Sequence, residues 1–204
     1  MRNRGSKYIV LFALLISVAA VSLGFAAFTS TLTISSSAAV NFNQPFDLKF
    51  STANNKIQAG TVTPTATGAT GASATIPSDS TSITGLKATF TSTGQSVKYT
   101  FYAYNASPFV GYLNSVNFGT KTCTAKSGTT QSYVNNACGD ISLTVKAGSS
   151  TFTSSNTGIS SHTVASAGYE TIEVTIAYAA NGAVADGDFD VTFGDVTLIY
   201  GTAD

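Results

Sequence analysis

"YETIEVTIAY", residues 169–178, sets Ile172, Val174, Ile176 and Tyr178 on one parity and Thr171, Glu173 and Thr175 on the other. Successive side chains of an extended chain point to opposite faces, so this alternation predicts an antiparallel strand buried on one side and wet on the other. The same period runs through "SVKYTFYAYN" (96–105), where Val97, Tyr99, Phe101 and Ala103 share a parity. Ile141, Leu143 and Val145 mark another strand, and Leu86, Ala88 and Phe90 a further one. Gly, Asn and Pro punctuate at short intervals and no stretch has a convincing helical period, so the body of the chain reads as an all-β sandwich. About eight strands with long connections favour a jelly roll, with an immunoglobulin-like sandwich as the other arrangement.

The closing stretch "DFDVTFGDVTLIY" (188–200) keeps Phe189, Val191 and Phe193 on one parity and then passes the apolar face to Val196, Leu198 and Tyr200. A one-residue slip turns a strand inside out, so a β-bulge or sharp bend is expected at Gly194 and Asp195. "TPTATGATGASAT" (63–75) has no strong pattern and reads as a surface excursion or a short edge strand.

The 204 residues are 43% hydrophobic but only 10% charged, with Ser, Thr, Gly, Asn and Ala in place of the usual surface charges. Average soluble proteins carry roughly 25% charged residues, so this is not a typical cytosolic surface. Arg2, Arg4 and Lys7 lead the uncharged run Tyr8–Phe28, which has the form of an export signal. Beyond them the chain holds seven basic residues against ten acidic, a net charge of −3, and its lysines are scattered singly. No basic stripe for nucleic acid remains.

Small residues at Gly24 and Ala26 place a cut between Ala26 and Ala27. A retained membrane anchor and a type IV pilin leader cut after Gly5, which would keep the apolar helix on the protein, are the alternatives. The organisation expected is therefore a signal peptide (1–26), an N-terminal strand (27–42) and a β-sandwich domain (43–204). In "AFTSTLTISSSAAVNF" (27–42), Phe28, Leu32, Ile34, Ala38, Val40 and Phe42 share one parity, while Thr29, Thr31, Thr33, Ser35 and Ser37 fill the other. That is a strand and not a spacer.

Catalysis finds little purchase. His162 is the single histidine, so a two-histidine metal site or HExxH helix is impossible, and no serine sits in a GxSxG elbow. His162 lies in the polar stretch "GISSHTVASAG" and reads as an exposed loop residue. Asp186, Asp188 and Asp190 begin like an EF-hand loop, but Val191 and Thr197 stand where that loop needs Gly and Glu. This leaves open a calcium site of another kind at a strand entrance or subunit contact, beside the plainer reading of a solvated hairpin end; no other cofactor is expected. Cys123 and Cys138, the only cysteines, suggest a disulfide in an exported protein, with two separate buried thiols as the alternative. Asn105, Ala106 and Ser107 spell one glycosylation sequon before Pro108.

The junction "GFAAFTSTLTISSSAAV" (24–40) resembles the signal-to-mature junction of the TasA/camelysin family of exported matrix-fibre proteins, with Gly24, Phe25 and Ala26 before the cut and Ala27 and Phe28 after it. "FDLKF" (46–50), the 96–105 strand and the 188–200 stretch are similar to that family's strand order. The resemblance, shared with archaeal bundling pili and cannula-like proteins, implies a jelly roll that polymerises by donor-strand complementation. It implies that Phe28, Leu32, Ile34, Ala38 and Val40 anchor the strand in the next copy, in an extracellular or cell-surface filament. The only partners then expected are copies of the same chain joined head to tail, with membrane contact limited to export. The peptidase label of the camelysin branch is not carried over, since the histidines it calls for are missing, and no enzyme is expected. The competing readings are a pilin-like subunit that keeps its helix and a secreted β-sandwich binding module whose first strand pairs within its own domain.

Overall fold

The computed structural model describes residues 45–202 apart from 79, 158 and 160. The cleavage position Ala26/Ala27 and the strand anchors Phe28, Leu32, Ile34, Ala38 and Val40 lie outside the described residues. From Gln44 onward the chain forms a compact unit of its own.

That unit is built of antiparallel strands in two sheets. The first sheet is ordered β1 (Leu48–Ser51), β6 (Ser96–Asn105), β13 (Tyr169–Tyr178), β9 (Ile141–Ala147) and β10 (Ser150–Phe152), with β3 (Pro64–Thr67) sharing the β1 edge of β6. In the second, β5 (Ser82–Phe90) has β4 (Thr70–Ile76) on one side and β14 (Phe189–Phe193) and β15 (Val196–Gly201) in line on the other. Next come β7 (Gly111–Asn117) beside β15 and β8 (Lys121–Ala125) beside β14. The short strands β2 (Gly60–Thr61), β11 (Asn156–Thr157) and β12 (Thr163–Val164) close the margins. The strands expected at 96–105 and 169–178 have those bounds, and their register runs from Tyr169 opposite Tyr104 to Ala177 opposite Ser96.

Alternation places the core between the sheets. Val97, Tyr99, Phe101 and Ala103 of β6 and Ile172, Val174 and Ile176 of β13 are wholly buried. Phe50 meets Phe101 edge-on with ring centroids 4.8 Å apart, and Tyr178 crosses from the first sheet to Phe189 of the second at 5.5 Å. Edge-to-face contact sets the positive rim of one ring against the negative face of the other, adding to the burial of area. The Tyr99 hydroxyl also crosses the sandwich, donating to the Lys87 carbonyl at 2.5 Å.

In place of a bulge or sharp bend at Gly194 and Asp195 the strand is interrupted there, and the change of face is shared. β14 stops at Phe193 and β15 starts at Val196, the buried parity changing between them. On β5 the buried face passes from Ile83 to Leu86 across Gly85, which has φ +63°. Between β7 and β8 it passes from Val116 to the half-buried Lys121 and Cys123 across Gly119. Three neighbouring strands change face at one level, so register is kept: Val191 stands opposite Ala88 and Cys123, and Val196 opposite Ile83. The true bulge comes later, where Ile199 pairs with Ser115 but Tyr200 with Leu113.

"TPTATGATGASAT", read as a surface excursion or a short edge strand, supplies two strands, the short β3 at the edge of the first sheet and β4 on the second, joined through Gly68 and Ala69; Gly68, at φ +76°, lets the chain change sheets. A helix, α1 (Gln131–Gly139), also occurs where none was expected. Only Val134 and Ala137 of it are buried, so its apolar face is too narrow to register as a helical period.

Burial fixes the protonation of two tyrosines. It pushes the Tyr99 hydroxyl up to about 12, against the backbone bonds at Ser73 and Lys87, and it holds Tyr200 well above the usual tyrosine range together with the charge of Glu170. A folded-state pKa above the unfolded one contributes stability that is complete below the unfolded value, near 10, and is lost as pH rises through the folded one. In tyrosinate absorbance, Tyr99 and Tyr200 should therefore ionise only as circular dichroism reports unfolding between about pH 10 and 12.

Candidate functional site

An assembling β-protein acts through its sheet margins, where backbone donors and acceptors lack a strand partner. The margins here are blunted. β10 has three residues and β11 and β12 two each, β3 opens on Pro64, and β4 meets β5 through two register shifts. Short strands, proline and irregular pairing all weaken an edge as a template.

The β8 margin is closed by other means. Cys123 and Cys138 form a disulfide with Cα atoms 5.9 Å apart, as expected of the only two cysteines in an exported protein, and this ties α1 to the strand. Gln131, the first residue of α1, donates from Nε2 to the Cys123 carbonyl at 3.1 Å and accepts the Ala125 N–H at Oε1 at 2.8 Å. One side-chain amide thus occupies the position that a peptide group of a neighbouring strand would take. Lys121 reaches from β8 to the carbonyls of Cys138 (2.5 Å) and Ile141 (2.7 Å), closing the C-terminal end of α1. Burial lowers the pKa of that ammonium, against the pull of nearby Asp140.

The three aspartates raised as calcium ligands are given separate tasks. Asp190 accepts the Thr89 hydroxyl at 2.6 Å and lies 2.8 Å from Lys87 Nζ and 3.7 Å from Lys126 Nζ. Burial disfavours its charge, but these bonds and charges hold its pKa below the usual range. Asp186 accepts the Thr130 N–H at 2.9 Å, capping α1 in place of the Thr130 side chain, and the bonds with Thr130 lower its pKa. Asp188 contributes its backbone carbonyl to Thr129 and Lys126. Among the described residues no three His, Cys, Asp or Glu side chains converge as a metal site.

His162 is not an exposed loop residue. Its side chain is 11% exposed, its Nε2 lies 2.5 Å from Glu170 Oε2, and its Nδ1 is 3.2 Å from the Ser150 hydroxyl. Glu170 Oε1 accepts the Tyr200 hydroxyl at 2.7 Å. Glu170 belongs to β13 and Tyr200 to β15, so the chain Ser150–His162–Glu170–Tyr200 joins the two sheets at one end of the sandwich. Sequence reasoning missed it because loop polarity says nothing of what folds over the loop; the inward parity of Glu170, two before Ile172, was the available signal. Gly148 sits against the pair, where an added Cβ would lie 3.2 Å from Glu170 Oε2 and 3.3 Å from His162 Cε1.

The sequon is folded inward. Asn105 is wholly buried and donates to the carbonyls of Phe109 (2.7 Å) and Ala165 (3.1 Å), while its Oδ1 accepts both the N–H (3.1 Å) and the hydroxyl (2.6 Å) of Ser107. Peptides spanning Asn105 from folded protein should be recovered unglycosylated by mass spectrometry. Asn105→Ala should cost about 2–3 kcal/mol in denaturant unfolding, since it strands buried groups.

The chain matches no family model and no curated relative. Among the described residues no helix is long and apolar enough to cross a membrane.

Proposed function

We propose that the chain is a structural subunit of an extracellular filament, which polymerises head to tail as each copy gives residues 27–42 as a strand to the next. The observation that carries this reading is the shared parity of Phe28, Leu32, Ile34, Ala38, Val40 and Phe42, interrupted only by Ser30 and Ser36, on a segment that precedes a body compact in its own right. A strand added in trans makes main-chain hydrogen bonds along its length, and its alternate side chains fill pockets between the sheets. Such an interface joins unlike surfaces, so it builds an open polymer instead of a closed dimer.

The strand order supports a jelly roll as the accepting body. Taken from β5, the chain gives one sheet as β5, β14/β15, β7/β8, β11/β12 and the other as β6, β13, β9, β10. Successive strands cross between the sheets except at the β9–β10 hairpin, which is the double Greek-key order of a jelly roll. Strands β1 to β4 then extend it at the β5 and β6 margin, on the N-terminal side of the fold. The disulfide and the low surface charge suit an oxidising extracellular setting.

The test is complementation. Residues 41–204, produced alone, should bind a peptide of residues 27–40 in a one-to-one complex and gain thermal stability on doing so. A stable monomer that ignores the peptide defeats the reading.

A further inference from the structure

We propose that Ser150 is an activated nucleophile able to take an acyl group from an ester, with His162 as its general base and Glu170 as the residue that orients that base. Ser150 opens β10 directly after the turn through Gly148 and Ser149, and it stands opposite the wholly buried Ala147. Cross-strand partners share a face, so the Ser150 side chain is directed to the core side of its sheet. β10 is the outermost strand of that sheet, and Ser150 is only half-buried, so its hydroxyl is reached from the rim of the sandwich.

The hydrogen bonds assign the roles. Glu170 Oε2 lies 2.5 Å from His162 Nε2, while Glu170 Oε1 accepts the Tyr200 hydroxyl at 2.7 Å. A carboxylate has no proton to give, so Nε2 is the donor, and the neutral ring turns the lone pair of Nδ1 toward Ser150 Oγ at 3.2 Å. Nucleophile, base and orienting group therefore stand in hydrogen-bond reach one after another, the arrangement that makes a weak hydroxyl reactive. The turn packs against the ring because residue 148 is glycine: an added Cβ there would lie 3.3 Å from His162 Cε1. With an ester, Ser150 Oγ bonds to the acyl carbon as the bond to the leaving alcohol oxygen breaks. Nδ1 takes the proton from Oγ and returns it to that oxygen. The inference goes beyond the filament reading and does not depend on it.

The test treats the full chain with a fluorophosphonate, which reports the same nucleophile by forming a stable Oγ–P bond as fluoride leaves, and locates the adduct by peptide mass spectrometry. Ser149 is the internal reference, since it is exposed on the same turn and the chain's single histidine is bonded to Ser150 instead. Ser150 should be labelled on the order of 100-fold faster than Ser149, the lower range of what a positioned general base contributes. His162→Gln should bring the two rates together while circular dichroism shows the fold retained. Equal labelling of Ser149 and Ser150 in the native chain would overturn the proposal, and that comparison decides alone if the variant does not fold. A preference for Ser150 that persists in folded His162→Gln would also overturn it, because exposure or backbone setting, and not the imidazole, would then account for the reactivity.

Discussion

Ile34→Glu should abolish the filament formation proposed for this chain, while Thr33→Glu, one residue away, should leave it intact. If residues 27–42 are inserted as a strand, Ile34 belongs to the face that enters the neighbour and Thr33 to the face left in water. An unpaired carboxylate taken into an apolar groove costs several kcal/mol, and every 1.4 kcal/mol is a tenfold loss of affinity, so polymer yield at fixed concentration should fall by about two orders of magnitude or more. Sedimentation and negative-stain microscopy of the two variants provide the readout. Equal effects at both positions would mean that the segment acts as a featureless tether, and the alternation would have no role.

The largest effect on the fold itself is expected at Gly119. It lies at the level where three strands change face, so close to its neighbour that an added Cβ would stand 2.2 Å from the Gly194 carbonyl carbon and 2.4 Å from its Cα. Both are backbone atoms, which cannot swing away as a side chain end can. Gly119→Ala should therefore cost about 3 kcal/mol or more in denaturant unfolding. Gly85→Ala on β5, beyond the intervening β14/β15, should cost only about 1 kcal/mol, because nothing lies within 4 Å of an added Cβ there and the penalty is that of the positive φ alone. Similar costs at the two sites would show that the crease is set by backbone conformation and not by close approach.

That crease marks how far the sequence could be read. The parity change after Phe193 is visible in one strand, and the break between β14 and β15 follows from it. That β5 and the β7–β8 run change face at the same level was not visible, because Gly85 and Gly119 acquire their meaning from strands brought beside them by long-range pairing. The strands at 96–105 and 169–178 were legible to the residue because each has one face buried and one wet. β3 was not: its Pro, Thr and Ala residues carry no contrast between faces, and Ala66 is exposed although it pairs with the wholly buried Val97; β4 does alternate, with Ala74 and Ile76 buried and Ser73 and Thr75 exposed, but over a short run of mostly small residues. The cysteine pairing was legible from count and setting, whereas the use of Gln131 as a substitute strand was not. Local spacing also misplaced His162, since Ser150 and Glu170 reach it from two different strands and Tyr200 holds Glu170 from a third.

Tyr99 and the Ser150–His162–Glu170–Tyr200 chain lock the two sheets together, short or irregular strands blunt the margins, and α1 covers β8. Such a body resists indiscriminate edge pairing, which suits the proposed subunit.

The route of residues 27–42 in the assembled polymer tests the account most directly. Helical reconstruction from electron cryomicroscopy of native filaments would trace it. The account predicts that the chain leaves its own body before β1 and runs as a strand within the adjacent subunit, with Phe28, Leu32, Ile34, Ala38 and Val40 facing that neighbour's core. A strand that folds back onto its own sandwich would contradict it.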